Sequence, residues 1–273
     1  MPEGPEVTII SENLNSILSG FEIYNIEITP TSRYRNKAPD NFSSFRESLP
    51  LRVKEIKNKG KLIYFEFQKS FFMLNTLGMS GIWRKKKDKH TSLIFTYGSG
   101  EVRQKLYFTD QRHFGTVKFL RTKKELNDKL KTIGPDMLND PKMSFEVFRS
   151  RLRKYPKQNI VKVLMDQKVV SGIGNYLKSE SLYHARISPF RNVSQLRELE
   201  MRKLYQSIRT KIIGSYHQGG VSVKDFKDVD DKKGLYQFEF EVYCKKTDKY
   251  GNKVVKVVLS DKRSTYYVPE LQF

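Results

Sequence analysis

The sequence predicts an α+β protein with more than one domain, and three observations lead to this class. The first 121 residues combine one helical segment with many short segments rich in aromatic and β-branched residues. Helical spacing of apolar residues dominates from there to residue 217, and the last 40 residues return to strand character. A length of 273 residues suits about two domains of roughly 150 residues each.

The N-terminal region should begin with a helix and continue as strands. Apolar side chains at positions 7, 10, 14, 17 and 18 follow helical spacing, and Gly20 suits the end of that helix. Apolar, aromatic and β-branched segments predict strands that cover residues 21–28, 62–67, 71–77, 93–97, 102–108 and 116–120. One helix followed by many short strands favours a β-sandwich or a β-barrel.

The middle of the chain should be helical and the tail should form a small β-element. A helix is predicted near Asn175, and others at residues 122–130, 144–152, 159–167 and 194–217. The tail predicts strands at residues 237–243, 254–259 and 265–268, with a turn at 248–252. These boundaries divide the chain into a β-rich domain at 1–121, a linker at 122–136, a helical domain at 137–236 and a terminal element at 237–273.

The charge balance indicates a class of partner. Lys and Arg number 51 against 30 Asp and Glu, which gives a net charge of +21 that is spread over both halves of the chain. A field of this size attracts polyanions, and nucleic acid is the partner we expect, because lysines and arginines on phosphates release condensed counterions. A basic surface that only keeps the protein soluble is the alternative.

Several classes of protein are disfavoured by composition. No apolar run approaches the roughly 18 residues that a membrane span needs, and no secretion signal follows the acidic N-terminus. The single cysteine, Cys244, excludes an intramolecular disulfide and a zinc cluster built from cysteines. We therefore expect a protein with no membrane partner, no secretion signal and no metal bound by thiolates.

The N-terminus, Met1-Pro-Glu-Gly-Pro-Glu6, could carry chemistry. A small residue at position 2 permits removal of Met1, which would leave Pro2 with a free secondary amine. An α-amino group titrates near pH ~7.7, so an unprotonated fraction exists at neutral pH and can attack a sugar carbon to form an imine. Glu3 could supply general acid or base catalysis beside it. Met-Pro is also a common start, which is the simpler interpretation of the dipeptide alone.

Two further segments could contact a nucleic acid or fill a gap in its base stack. Lys61 follows a glycine at the mouth of a predicted strand, where it could bind a phosphate, although most such lysines are solvated strand ends. Met79 lies in Leu-Gly-Met-Ser-Gly between two strands, and Arg112 and Phe114 share a short loop. A lone Met or Phe is usually part of a core, but together with an arginine they could wedge into a base stack.

Two other features suggest anion binding near the C-terminal half. Glycines 172 and 174 precede the helix that starts near Asn175, where backbone N–H groups and the helix dipole favour an anion. Arg263 lies at the tip of the terminal β-element, as arginines of hairpin tips often do. Each feature is weak when taken singly.

The order of these motifs resembles that of the formamidopyrimidine-DNA glycosylase and endonuclease VIII family of base-excision repair enzymes. The similarity covers essentially the whole chain and rests on PEGPE, LGMSG, DQRHFG, MDQKVVSGIGNYLKSESLY and KRSTYY. Gly4 and the GIGNYL block are more similar to the endonuclease VIII-like branch. The resemblance implies an N-terminal β-sandwich with flanking helices, a helical domain with a helix-two-turn-helix motif, and a small antiparallel hairpin.

The same resemblance assigns roles to individual residues. It implies Pro2 as the nucleophile that attacks C1′ of the lesion, Glu3 as the general acid and base, and Lys61 as a phosphate-binding residue that assists catalysis. The void left by the flipped base would be filled by Met79, Arg112 and Phe114. Phosphates around the lesion would be bound by Asn175 and Arg263, with Tyr243 as a further candidate.

The sequence departs from the family pattern at two places. Only Cys244 stands where many members have a four-cysteine zinc finger, which implies a zincless finger. Residue 76 is Thr, where purine-directed members usually have His, and this departure argues against a purine-only substrate range.

The resemblance implies a bifunctional DNA glycosylase and AP lyase that needs no cofactor. It would excise oxidised pyrimidines and hydantoin-type products of guanine through a Schiff base on the N-terminal proline, followed by β,δ-elimination. We expect a monomer that acts on damaged DNA, duplex or single-stranded, at a site of DNA repair in a nucleus, in cytosol or at a viral replication site. The alternative is a non-catalytic DNA- or RNA-binding protein that retains the fold.

Overall fold

The computed structural model describes residues 2–222, 227–259 and 261–273. The chain begins with helix α1 (Gly4–Leu18), and a short helix α2 (Phe42–Glu47) follows the first strand. The strands of the N-terminal domain are β1 (Glu22–Ile28), β2 (Leu51–Lys59), β3 (Leu62–Phe67), β4 (Phe72–Thr76), β5 (Gly81–Arg84), β6 (Thr91–Ser99), β7 (Val102–Asp110) and β8 (Thr116–Leu120).

The strands form an antiparallel sheet in the order β5-β7-β6-β1-β2-β3-β4-β8. Only two residue pairs, Glu22 with Arg52 and Ile23 with Leu51, join β1 to β2. The sheet folds over at this short junction, so that the ring of Phe65 on β3 lies 5.8 Å from that of Trp83 on β5. The two halves enclose one aromatic core, which confirms the predicted sandwich.

Strands β2 and β5 are absent from the strands predicted from the sequence. The pairing register of β2 with β3 shifts between Val53 and Glu55, which interrupts the alternation by which strands are detected. Strand β5 has four residues and directly follows the glycine-flanked turn that contains Met79. Both omissions concern short or irregular strands and leave the predicted architecture intact.

Five α-helices follow the sandwich in the described part of the chain. They are α3 (Lys123–Lys131), α4 (Phe145–Leu152), α5 (Ile160–Met165), α6 (Asn175–His184) and α7 (Glu198–His217). Thr122, Ser144 and Asn159 begin the first three of these helices by accepting a hydrogen bond from a backbone N–H of the first turn. Helix α6 is buried along Tyr176–Tyr183, so polar side chains on it must find partners inside the protein.

The chain ends in an antiparallel hairpin of β9 (Val255–Val258) and β10 (Ser264–Tyr267). The predicted strand at residues 237–243 was wrong, because Tyr236–Glu239 forms a 3-10 helix and no strand follows it before β9. The backbone N–H groups of residues 241–243 donate to the Glu180 carboxylate of α6. Since this carboxylate takes the hydrogen bonds that a neighbouring strand would need, the segment does not pair in a sheet. Across the described part of the chain, no helix is both long and apolar enough to span a membrane.

Candidate active site

The start of the chain docks on the turn that precedes α6. Gly4 N donates to Gly172 O at 2.8 Å, and a Cβ atom added at Gly4 would lie 3.0 Å from Gly172 Cα. Only a glycine at position 4 allows the two backbones to approach this closely. The contact brings residues 2–4 of the N-terminal domain to the helical domain, and we call this region the interdomain junction.

Glu3 occupies the centre of the interdomain junction. Its Oε1 accepts from Tyr176 N at 2.9 Å and its Oε2 accepts from Leu177 N at 3.3 Å, so a side chain of one domain caps a helix of the other. Gly174 makes room for this carboxyl, since a Cβ there would lie 2.2 Å from Glu3 Cδ. Pro2, the predicted nucleophile, is buried directly before Glu3.

Burial changes the acidity of Glu3. The side chain is 2% exposed, and desolvation raises its pKa to about 7, although the positive charge of Lys61 opposes the shift. The nearby carboxyl of Glu6 raises the pKa further, and the two backbone hydrogen bonds from α6 lower it. At neutral pH Glu3 therefore exists in both protonation states, as a general acid and base requires.

Glu6 holds the backbone of Glu3 in place through hydrogen bonds that reach both domains. Its Oε2 accepts from Glu3 N at 2.7 Å, and its Oε1 accepts from Val221 N at 2.9 Å and from the Tyr176 hydroxyl at 3.1 Å. The side chain is almost wholly buried, and desolvation raises its pKa as well. No catalytic or supporting role at the site is predicted for Glu6 or Tyr176 from the sequence, because Tyr176 and Val221, the partners of Glu6 Oε1, lie in distant parts of the chain.

Lys61 is placed by a glycine that contacts the helical domain. Gly60 has a φ of +55° and donates its N–H to Asp136 Oδ2 at 2.6 Å, and a Cβ there would lie 2.6 Å from Ser171 Cβ. Lys61 is half-buried, and desolvation lowers its pKa, while Glu3 raises it and Arg263 lowers it. The predicted lysine and the predicted carboxylate thus belong to one electrostatic site.

Asn175 and Tyr243 are also brought together. Asn175 is the first residue of α6, and its buried Oδ1 has no hydrogen-bond partner among the described residues. Burial raises the pKa of Tyr243, and the nearby side chain of Asn175 opposes the shift. Arg263 is exposed between β9 and β10, close enough to influence the pKa of Lys61. The structure therefore places the three predicted DNA-binding residues around the N-terminal end of α6.

Met79, Arg112 and Phe114 lie on two loops that pack together, residues 77–81 and 110–115, which we call the paired loops. Asp110 links them, because its Oδ1 accepts from Ser80 Oγ at 2.6 Å and its Oδ2 accepts from Gly115 N at 2.6 Å. Met79 and Phe114 are 40% and 53% exposed, and the Arg112 guanidinium lies 5.3 Å from the Phe114 ring centroid. The three predicted void-filling residues therefore form one exposed group.

The aspartates of segment 221–234 could suggest a cation site, and a loop near the lesion pocket is the alternative prediction for this segment, whose residues 223–226 lie outside the described residues. Two of its acidic side chains instead pair with the β5 end of the sandwich, Asp230 with Lys85 at 2.6 Å and Asp231 with Arg84 at 3.9 Å. Val229 is buried in the core of the N-terminal domain. Residues 227–234 of this segment thus extend from the helical domain to the sandwich.

Within residues 2–222, 227–259 and 261–273, no group of three or more His, Cys, Asp or Glu residues could hold a metal ion. Cys244 is an exposed free thiol whose Sγ lies 3.6 Å from the Tyr266 hydroxyl. The zincless finger stays a prediction, for which metal analysis of the purified protein is the test.

The chain matches three family models in sequence. They are the formamidopyrimidine-DNA glycosylase N-terminal domain at residues 1–117, its H2TH domain at 133–227 and its C-terminal domain at 228–273. The chain belongs to the formamidopyrimidine-DNA glycosylase family. This membership confirms the predicted resemblance and places the protein among DNA glycosylases of base-excision repair that act on oxidised bases.

Relatives of known name and structure agree with this assignment. The formamidopyrimidine-DNA glycosylase of a Wolbachia pipientis strain is 32% identical over 98% of both chains. Lactococcus lactis Fpg in complex with abasic-site DNA is 28% identical, with a TM-score of 0.85 and 99% of both chains covered. A variant of that protein in complex with Fapy-dG containing DNA is 27% identical, with a TM-score of 0.86 and the same coverage. Because these names do not address the endonuclease VIII-like branch, placement in that branch stays a prediction.

Proposed function

We propose that this family member is a bifunctional DNA glycosylase and AP lyase whose nucleophile is the amine of Pro2. The observation that carries the proposal is the Glu3 carboxyl, which is buried directly after Pro2 and has its pKa raised to about 7. A carboxyl with this pKa can give and take protons at physiological pH.

Base excision follows from these two residues. Once Met1 is removed, the lone pair of the Pro2 nitrogen attacks C1′, the bond from C1′ to the base breaks, and the base leaves with the proton that the Pro2 nitrogen loses. Glu3 donates a proton to O4′ as the bond from C1′ to O4′ opens, which leaves an iminium ion between Pro2 and C1′. The iminium ion is the electron sink of the reaction, so no cofactor is needed.

Strand cleavage uses the same iminium ion. Loss of the C2′ proton expels the phosphate on C3′, and loss of the C4′ proton expels the phosphate on C5′. Water then adds to C1′, the remaining sugar fragment leaves as an aldehyde, and the Pro2 amine is restored. Lys61 would bind a phosphate beside Glu3, and Asn175, Tyr243 and Arg263 would hold phosphates on either side of the lesion.

The substrates we propose are oxidised pyrimidines, hydantoin-type products of guanine and abasic sites, in duplex or single-stranded DNA, bound by a monomer. Thr76 and the Gly4 and GIGNYL features support this range. The Lactococcus lactis relatives bind abasic-site and Fapy-dG DNA, so both lesions belong in the test. A panel of these lesions, each in duplex and single-stranded form, would rank the substrates by single-turnover rate.

Borohydride trapping tests the proposed chemistry. Protein whose mass confirms loss of Met1 is mixed with lesion-containing DNA and sodium borohydride, which reduces an iminium ion to a stable covalent bond. We expect a cross-linked complex, and none from a matched sample that carries an N-terminal extension and therefore lacks the free amine. Absence of the complex with every lesion of the panel would favour the alternative, a non-catalytic DNA- or RNA-binding protein.

A further inference from the structure

Helix α6 carries a buried lysine that neither the sequence analysis nor the proposed chemistry uses. Lys178 lies three residues after Asn175, so it is on the same side of the helix about one turn further on. Its side chain is fully buried, and lysines are almost never buried without a charged partner. A lysine at this position therefore calls for an explanation.

The partner of Lys178 is on the terminal hairpin. Lys178 Nζ lies 2.6 Å from Asp261 Oδ2, and the side chain of Asp261 is 3% exposed. The other oxygen of the same carboxylate, Oδ1, accepts from Arg263 N at 3.1 Å. One carboxylate thus joins the backbone of Arg263 to the helix that begins with Asn175.

The hairpin needs such a link. Its two strands have four residues each, and an isolated two-stranded hairpin is marginally stable in water. Other contacts from α6 hold the rest of the terminal element, since Ser179 Oγ accepts from Tyr266 N at 3.3 Å and the Tyr183 hydroxyl donates to Asp248 Oδ2 at 2.9 Å. Of these contacts, the one made by Asp261 is nearest in sequence to Arg263.

We propose that Lys178 and Asp261 are positioning residues, which hold the Arg263 side chain at a fixed place relative to Asn175 so that both can bind phosphates of one DNA strand. A buried ion pair has a defined geometry, whereas an apolar contact would let the short hairpin slide along α6. The ion pair would then give the hairpin the fixed attachment that a bound metal gives other fingers. The inference rests on the proposed DNA-binding role of Arg263.

The test measures binding to a duplex that contains a tetrahydrofuran abasic analogue, which the enzyme cannot cleave. Single substitutions leave a buried charge unpaired and can unfold the hairpin, so the informative variant is the double substitution Lys178→Met with Asp261→Leu, which removes both charges. We expect it to keep the thermal midpoint within a few degrees of the wild type. We expect its affinity for the duplex to fall by on the order of tenfold, as in Arg263→Ala.

The double variant with and without Arg263→Ala distinguishes positioning of Arg263 by the ion pair from a general structural role of that pair. Adding Arg263→Ala to the double variant should cause no further loss of affinity, and Lys178→Arg alone should retain affinity within about threefold because it keeps an ion pair. Lys211→Met is the control: it breaks a partly buried pair, Lys211 with Glu241, and leaves that carboxylate paired with Lys249. Its effect should add to that of Arg263→Ala.

Three results would overturn the proposal: wild-type affinity in the folded double variant, an additive loss with Arg263→Ala, or one equivalent of zinc in the purified protein held by side chains of the terminal element. If the double variant does not fold, Lys178→Met with Asp261→Asn replaces it under the same criteria, because this pair also removes both charges and keeps an acceptor for Arg263 N. Binding to the tetrahydrofuran duplex requires no catalysis. Coupling between the ion pair and Arg263 can therefore be found even if borohydride trapping fails, and trapping can succeed even if that coupling is absent.

Discussion

The interdomain junction and the paired loops differ in how firmly the fold holds their functional side chains. Glu3 is 2% exposed and is held by backbone groups of α6, whereas Met79 and Phe114 are 40% and 53% exposed. Within the paired loops it is the backbone that is fixed, through Asp110, Ser80 and Gly115. The difference fits their proposed tasks, because proton transfer needs a desolvated and fixed carboxyl, and a wedge must be free to enter a base stack.

The largest effect should come from Glu3→Gln, which removes the titrating group of the junction. We expect the single-turnover rate of base excision to fall by about 10²- to 10⁴-fold, the usual contribution of general acid and base catalysis. The amide oxygen can still accept from Tyr176 N, so the thermal midpoint should not fall. A rate within a few-fold of the wild type would remove Glu3 from the mechanism.

Gly174→Ala should have the next largest effect, because it disturbs the junction without replacing a titratable residue. The added Cβ would lie 2.2 Å from Glu3 Cδ and would displace the carboxyl, and a misplacement of about 1 Å can lower a rate by on the order of 10²-fold. Gly214→Ala on α7 is the matched control, since the nearest atom to its Cβ is 3.4 Å away. Equal excision rates in the two variants would contradict the proposed close fit.

The pH dependence of stability should distinguish Glu3 from an ordinary carboxyl. Burial raises its pKa from 4.5 to about 7, so between these values the folded protein keeps a proton that the unfolded chain has lost. Its contribution to the free energy of unfolding is therefore most favourable below pH 4.5 and declines as the pH rises to about 7. Denaturant titrations should show Glu3→Gln gaining stability relative to the wild type between pH 5 and pH 8. If the difference in the free energy of unfolding between Glu3→Gln and the wild type stays constant over this pH range, the carboxyl is not desolvated.

The smallest effect should come from Phe114→Ala in the paired loops. Removing one wedge side chain should weaken binding to lesion-containing duplex by about tenfold, because less of the unstacking free energy is recovered. Binding to the same lesion in single-stranded DNA should change much less, since no opposite strand leaves a void. Fluorescence anisotropy with both forms checks the prediction, and equal losses on both would contradict a void-filling role.

Motifs that are local in sequence could be recognised from the sequence, and this covers most of the fold. The helical spacing at residues 7–20 and the glycines before Asn175 predicted α1 and the start of α6. Short or irregular strands, β2 and β5, were missed, and the one wrong strand involves a contact between distant residues. The strand predicted at 237–243 is absent because Glu180, some 60 residues earlier, takes its N–H groups.

The composition of the candidate site could be predicted from its motifs, but its physical chemistry could not. The N-terminal motif predicts Glu3 as a site residue from the sequence alone. Its raised pKa, however, depends on burial against Tyr176 and Leu177, which lie more than 170 residues away. The pairing of Lys178 with Asp261 spans 83 residues and has no local signature. Exposure, which separates the paired loops from the interdomain junction, likewise depends on tertiary packing.

The central claim is that the chemistry resides at the junction, on the residue before Glu3. Its most direct test is to trap the protein on abasic-site DNA with borohydride, digest the complex, and find the modified peptide by mass spectrometry. The account predicts that the reduced sugar fragment is attached to the nitrogen of Pro2, in a peptide that lacks Met1. A fragment attached to Lys61, or to any other lysine, would contradict it.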